Sequence, residues 1–120
     1  MKRGRPTKSE IRQNIIEILY YLGSAYGYKL HKIYRQIFPN CTREVVYYHL
    51  KKGMSLGEFE IESIRQEKGA YSWGVIVEKK YYKLGPDAKP TMNDKVKKFF
   101  DENPKYLSKN ENKNTEHRQN

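Results

Sequence analysis

A run of basic and aromatic side chains between residues 42 and 52 has the residue types that nucleic-acid recognition needs. Arginine can pair with guanine through two hydrogen bonds, tyrosine can stack or reach a phosphate, and lysine can neutralise the backbone. If the run is a helix, at about 100° per residue, Val46, Leu50 and Met54 share one side. The other side and the first turn carry the candidate DNA-reading residues, which are Thr42, Arg43, Glu44, Tyr47, Tyr48, Lys51 and Lys52. The alternative interpretation is an ordinary solvated face.

A second basic motif lies at the N-terminus. Residues Arg3, Gly4, Arg5 and Pro6 match the core of an AT-hook, and Lys8 is one of the basic residues that flank it. Glycine has no Cβ, so the backbone can enter a narrow minor groove, while the arginines lie along its floor and proline keeps the chain extended. A–T tracts have such a groove, narrow and strongly negative. We predict a minor-groove arm over residues 1–7; the alternative is a basic tail that touches only phosphates.

A third group of candidate contacts lies near a turn at Lys68-Gly69. Arg65, Lys68 and Tyr71 could approach a flanking minor groove or the phosphates beside it. Trp73 could do the same, or it could pack beneath a hairpin formed by this segment. The residues alone leave both interpretations of Trp73 open.

The hydrophobic spacing predicts the elements that position these side chains. Apolar residues recur at helical spacing from about Lys8 to Gly23, and again from about Tyr28 to Phe38, where Pro39 follows. Asn40-Cys41-Thr42 is a helix-start signal for a third helix. The period then changes to that of strands at Phe59–Ser63 and at Val75–Leu84. The order helix, helix, helix, strand, strand is that of a winged helix-turn-helix, a module that places its third helix in the DNA major groove.

The predicted fold class is therefore α+β, mainly α, with three helices, a two-stranded β-wing and a short C-terminal helix. We predict that the chain divides into four segments, which are a basic arm over 1–7, a winged helix-turn-helix domain over 8–88, a C-terminal helix over 89–103 and a polar tail over 104–120. The tail is rich in Lys, Asn, Glu and Gln and has almost nothing to bury, so we expect it to be disordered.

Helix 1 also carries a second apolar stripe, formed by Ile16 and Tyr20, for which a single winged-helix domain has no obvious use. The C-terminal helix offers a matching patch in Val96, Phe99 and Phe100. The patch could come from the same chain or from a second copy. We predict a homodimer built from helix 1 and the C-terminal helix.

Composition narrows the class of partner. The net charge of +10 and the pI near 9.6 indicate a polyanionic partner, either nucleic acid or an anionic membrane surface. We predict no membrane partner, because the sequence has neither an apolar run of about 18 residues nor a signal-peptide pattern. The single cysteine, Cys41, rules out an internal disulfide and fits a reducing cytoplasm; we expect it to be a small buried side chain.

No enzymatic chemistry is predicted. The glycines form no phosphate loop, and the three histidines and one cysteine do not approach the spacing of a zinc site. Pro86-Asp87 and Glu78-Lys79-Lys80 occur in the wrong order for a nuclease site and are interpreted as turn and strand residues. We therefore expect neither a cofactor nor a metal.

Three stretches resemble the winged-helix domain of the PadR-like transcriptional regulators. They are the Tyr26–Leu30 opening of helix 2, the Val45–Gly53 part of helix 3 and the Lys80–Leu84 end of the second strand. The resemblance covers about residues 8–85 and implies a small dimeric DNA-binding repressor.

The residues and the resemblance together predict a sequence-specific double-stranded DNA-binding protein of the cytoplasm and nucleoid, most simply a transcriptional regulator. Two alternatives use the same basic surface. One is an RNA- or ribosome-associated structural factor, and the other is an architectural chromatin protein with little sequence preference.

Overall fold

The computed structural model describes residues 8–38, 41–68 and 76–107. The helices are α1 (Lys8–Leu22), α2 (Gly27–Ile37), α3 (Arg43–Ser55) and α4 (Asp94–Glu102), and the strands are β1 (Ser24–Tyr26), β2 (Phe59–Lys68) and β3 (Ile76–Leu84). Three helices followed by a β-hairpin and a C-terminal helix confirm the predicted fold class. Residues 1–7, 39–40, 69–75 and 108–120 lie outside the described residues, and with them the predicted arm, the predicted turn at Gly69 and most of the predicted tail.

The ends of the helices follow from local chemistry. Gly23 adopts a positive φ of 82°, and its amide donates to the Leu19 carbonyl, so α1 ends where the sequence predicts. The Thr42 Oγ1 accepts a hydrogen bond from the Val45 amide at 3.2 Å and caps α3. α4 begins later than Thr91, because the cap is Asn93, whose Oδ1 accepts from the amides of Lys95 and Val96.

β1 was not predicted. It pairs antiparallel with β3, placing Ser24 opposite Lys83 and Tyr26 opposite Tyr81, so the sheet has three strands in the order β1-β3-β2. A strand of three residues is too short to show an alternating pattern in the sequence. β3 is consequently the central strand, and β1 joins the start of α2 directly to the hairpin.

The β2–β3 hairpin contains a β-bulge that changes which residues share a face. The alternation in the sequence puts Ile61 and Ser63 on one side, yet Ile61 pairs with Tyr82 and Ser63 pairs with Tyr81. Glu62 is the extra residue, and it moves the following part of β2 to the opposite side. Arg65 therefore lies on the same face as Tyr81.

The core lies between the first three helices and the start of β2. Its largest fully buried side chains include Ile15, Ile18, Leu19, Leu30, Ile33, Tyr34, Leu50 and Phe59. The buried side of α3 consists of Val46, His49, Leu50 and Gly53. Met54 was predicted on that side but is 40 % exposed. Near this end of the helix, the side that faces the core is at Gly53, where the Phe59 ring packs directly.

The second apolar stripe of α1 is covered by α4 of the same chain. Ile16, Val96 and Phe100 are each no more than 1 % exposed in the single chain, whereas Tyr20 is 42 % exposed. Ile16, Val96 and Phe100 are therefore already covered within one chain, whereas Tyr20 is exposed and Phe99 is half-buried. The homodimer stays a prediction. The same-chain alternative accounts for the stripe.

The folded chain continues past the predicted boundary at residue 103. Tyr106 stacks on Phe99 with ring centroids 5.7 Å apart, and Leu107 packs against the core. Pro104–Leu107 were assigned to the polar tail, because Lys and Asn dominate the composition beyond Pro104. Two apolar side chains are enough to hold this short segment against α4.

Candidate nucleic-acid interface

The structure brings the candidate residues of helix 3 onto one exposed surface of α3. All seven are exposed: Thr42, Arg43, Glu44, Tyr47, Tyr48, Lys51 and Lys52. Tyr47 and Tyr48 keep 41 % and 50 % of their surface in solvent. The buried side of the same helix packs on α1 and α2, so the exposed surface is held rigidly by the core.

The electrostatics of this surface favour an anion. Arg43, Lys51 and Lys52 contribute positive charge, and within the described ranges none of them forms an ion pair within 4.0 Å. Glu44 is the acidic residue of the first turn, where the helix dipole stabilises a negative side chain. A carboxylate at this position can also accept a hydrogen bond from cytosine N4. The cations of α3 are therefore available for a ligand.

Tyr47 also has a structural contact that its place on the helix did not suggest. Its ring lies so close to Gly27, the first residue of α2, that a Cβ at Gly27 would overlap it. Burial raises the pKa of Tyr82 on β3, and the neighbouring Tyr47 raises it further. Tyr47 thus links the exposed surface of α3 to the start of α2 and to the central strand.

Arg65, Glu67 and Lys79 of the hairpin form a connected network around Tyr81. The Arg65 guanidinium lies over the Tyr81 ring at 3.9 Å, and its Nε donates to Ser63 Oγ at 3.3 Å. Lys79 pairs with Glu67 at 2.8 Å and lies over the Tyr26 ring at 4.5 Å. The hydrogen bond from Lys79 lowers the pKa of Glu67, and the same bond raises the pKa of Lys79. Arg65 is exposed but held in place on the sheet.

Several candidate residues lie outside the described part of the chain. These are Arg3, Gly4, Arg5 and Pro6 of the predicted arm, together with Tyr71 and Trp73 in the sequence between β2 and β3. Lys8 begins α1 and Lys68 ends β2, but their side chains are likewise outside the described residues. The contacts predicted for these positions stay predictions.

A tyrosine-lined cleft beside α3 was missed by sequence reasoning. Its volume is about 620 Å³, and it opens between the start of α2, the Tyr47 side of α3 and β3. Its aromatic and basic lining consists of Tyr26, Tyr28, Tyr47, Tyr82, Lys79 and Lys80. Two clusters in the sequence supply most of this lining, Tyr26-Gly27-Tyr28 and Lys79-Lys80-Tyr81-Tyr82. Only the pairing of β1 with β3 brings them together.

Other classes of site find no support in the part of the chain that is described. Within residues 8–38, 41–68 and 76–107 there is no cluster of three or more potential metal ligands. No helix in these ranges has the length and apolar character needed to cross a bilayer. Cys41 is buried, and burial raises the pKa of its thiol, so it behaves as the small core residue that was predicted.

No protein-family model and no curated protein matches the sequence. Among solved structures, the chain is similar to a PadR family transcription regulator from Clostridium difficile R20291. The sequence identity is 21 %, the match covers 78 % of this chain and 95 % of that chain, and the TM-score is 0.42. The winged helix-turn-helix assignment rests on the element order and sheet topology of this chain itself.

Proposed function

We propose that this chain is a sequence-specific double-stranded DNA-binding protein that acts as a transcriptional regulator in the cytoplasm and nucleoid. The observation that carries the proposal is the exposed surface of α3, where arginine, lysine and tyrosine side chains stand opposite a rigid buried side. The B-DNA major groove is about 12 Å wide and admits an α-helix. In a helix-turn-helix, the N-terminal residues of the second of the two helices meet base edges, and here that helix is α3.

The position of each side chain on α3 supports a distinct role. Arg43 lies in the first turn, where it can pair with O6 and N7 of guanine. Tyr48 is half exposed and can contact a base or a sugar. Lys51 and Lys52 lie further along the helix, where a docked helix passes the phosphates. Arg65 would contact the backbone beside the wing.

The arm is proposed to add a minor-groove contact next to the α3 site. Gly4→Val should reduce binding to duplexes with A–T flanks more than to duplexes with G–C flanks, because a branched Cβ keeps the backbone away from the groove floor. The variant retains both arginines and the net charge. Fluorescence-anisotropy titrations at one salt concentration measure the effect. If Gly4→Val keeps the full A–T preference, the arm is a basic tail that contacts phosphates alone.

Competition between duplex DNA and structured RNA tests the proposed function. A-form RNA has a deep and narrow major groove that side chains cannot read, so α3 could not enter it. We expect a DNA duplex to displace a labelled DNA duplex at concentrations where an RNA duplex of the same sequence does not. Equal or better competition by RNA would overturn the proposal and favour a ribosome-associated factor. Equal binding of all DNA sequences would favour an architectural protein.

A further inference from the structure

The tyrosine-lined cleft has the size and the wall chemistry of a small-ligand site. Its volume of about 620 Å³ falls within the range of about 300–1,000 Å³ that is typical of such sites. Tyr28 is 51 % exposed and Tyr47 is 41 % exposed, so both rings offer surface on which a planar group can stack. Tyrosine combines an apolar face with a hydroxyl that can hydrogen-bond at its edge.

Two independent features make one part of the cleft positive. Lys80 is exposed, and among the described residues it has no acidic partner within 4.0 Å. Beside it, α2 starts without a side-chain cap and without an acidic residue in its first turn, so the positive end of its helix dipole is not neutralised locally. Gly27 lets the Tyr47 ring pack directly against this helix start, because a Cβ at Gly27 would overlap the ring.

The acidic residue in the lining, Glu78, adds a selective element. A carboxylate repels a phosphate but accepts hydrogen bonds from neighbouring N–H groups through its two oxygens. Among the nucleobases, guanine presents the N1–H and N2–H₂ donors side by side. Glu78 and Lys80 point to the same face of β3 by strand alternation, so a ligand in the cleft can meet both charges.

We infer that this cleft binds a single guanine nucleotide, whose base stacks on tyrosine and whose phosphate pairs with Lys80 near the positive end of α2. A free mononucleotide and an unpaired nucleotide of a DNA strand share this chemistry. Stacking on aromatic side chains together with a cationic contact is how proteins hold unpaired nucleotides. The cleft shares Tyr47 with the proposed DNA-reading surface of α3, but Tyr28, Glu78 and Lys80 belong to the cleft alone. Ligand binding can therefore be measured without duplex DNA and tested separately from the major-groove role of α3.

Calorimetric titration of the full chain with GMP, AMP, guanosine and inorganic phosphate tests the site, and a single-stranded oligonucleotide containing one guanine distinguishes the two sources. We expect GMP to bind more tightly than the other three small molecules. Tyr28→Ala and Lys80→Ala should each weaken GMP binding by roughly tenfold, the size expected for one stacking or one charged contact. Glu78→Gln should reduce the preference for GMP over AMP. If the oligonucleotide binds more tightly than GMP and competes with it, the source is a DNA strand; the reverse order indicates the free nucleotide.

Matched controls lie outside the cleft. Tyr20→Ala removes another exposed tyrosine, and Lys98→Ala removes another exposed lysine; neither should change GMP binding. The inference is overturned if GMP does not bind, if AMP, guanosine or inorganic phosphate binds as tightly as GMP, or if the control variants lose as much affinity as the cleft variants. Circular dichroism of each variant confirms that it is folded.

Discussion

Replacing Glu17 by glutamine should reduce the free energy of unfolding by about 3 kcal/mol, because one carboxylate holds α4 against α1. Glu17 is 0 % exposed, and its Oε2 accepts hydrogen bonds from Thr91 N at 2.7 Å and from Thr91 Oγ1 and Gln13 Nε2 at 2.8 Å each. Its Oε1 accepts a bond from Asn93 N at 3.1 Å. Glutamine has one carbonyl oxygen, so its NH₂ group would face a donor. Urea denaturation measures the loss.

Glu10→Gln is the matched control, since Glu10 is an exposed residue on the same helix. A charge near the start of a helix contributes less than about 1 kcal/mol, so the control should be nearly silent. If Glu17→Gln reduces the free energy of unfolding by no more than Glu10→Gln does, then Glu17 does not hold α4 in place.

The acid stability of the protein should depend on the same group. Burial tends to raise the pKa of Glu17, but the hydrogen bonds from Gln13, Thr91 and Asn93 outweigh it and lower the pKa below its usual 4.5. Because the folded-state pKa lies below the unfolded value, this stabilisation is present above about pH 4.5. It is lost as the pH falls through the folded-state pKa. The stability difference between the wild type and Glu17→Gln should therefore shrink below pH 4.5, which denaturation curves from pH 7 to pH 3 would reveal.

Gly53→Ala should destabilise the protein by about 1–3 kcal/mol, although a glycine-to-alanine change in an exposed helix usually stabilises it by about 1 kcal/mol. The sign reverses because a Cβ at Gly53 would overlap the ring of Phe59, which is 1 % exposed and packed in the core. The ring cannot move aside without disturbing its neighbours. Thermal and urea unfolding of the variant give the sign directly.

The second variant needed for this prediction is Phe59→Leu. Its smaller side chain leaves room for a Cβ at position 53, so Gly53→Ala should cost less in the Phe59→Leu background than in the wild type. A stabilising Gly53→Ala, or a cost that is the same in both backgrounds, would show that the contact between α3 and β2 is looser than described.

Local signals in the sequence were sufficient for the helices of the winged-helix domain. The apolar residues of α1 and α2 repeat at helical spacing, and Thr42 is a strong N-cap, so the elements were predicted close to their observed bounds. β1 and the bulge at Glu62 were not predictable in this way. A three-residue strand and a one-residue insertion are defined by pairing with β3, which is distant in sequence.

The candidate site was predicted where it lies on one element and missed where it combines several. The exposed surface of α3 follows from the 3.6-residue period alone. The cleft requires Gly27, Tyr47 and Lys80 to meet, and these residues come from three elements. The partner of Ile16 was identified as the Val96 patch, but residue types cannot distinguish a contact within one chain from a contact between two copies.

The most direct test of the central claim compares Arg43→Ala with Lys51→Ala on two duplexes, one selected from a random pool by the wild-type protein and one with the scrambled sequence. Titrations at several salt concentrations give the affinity and its salt dependence. Arg43→Ala should reduce the binding free energy by about 1–3 kcal/mol more for the selected duplex than for the scrambled one, because a base contact is lost. Lys51→Ala should weaken binding to both duplexes by the same factor. It should also reduce the slope of the logarithm of the binding constant against the logarithm of salt concentration by about one. If Arg43→Ala weakens binding to both duplexes equally, α3 does not read bases through Arg43, and the proposed major-groove recognition is contradicted.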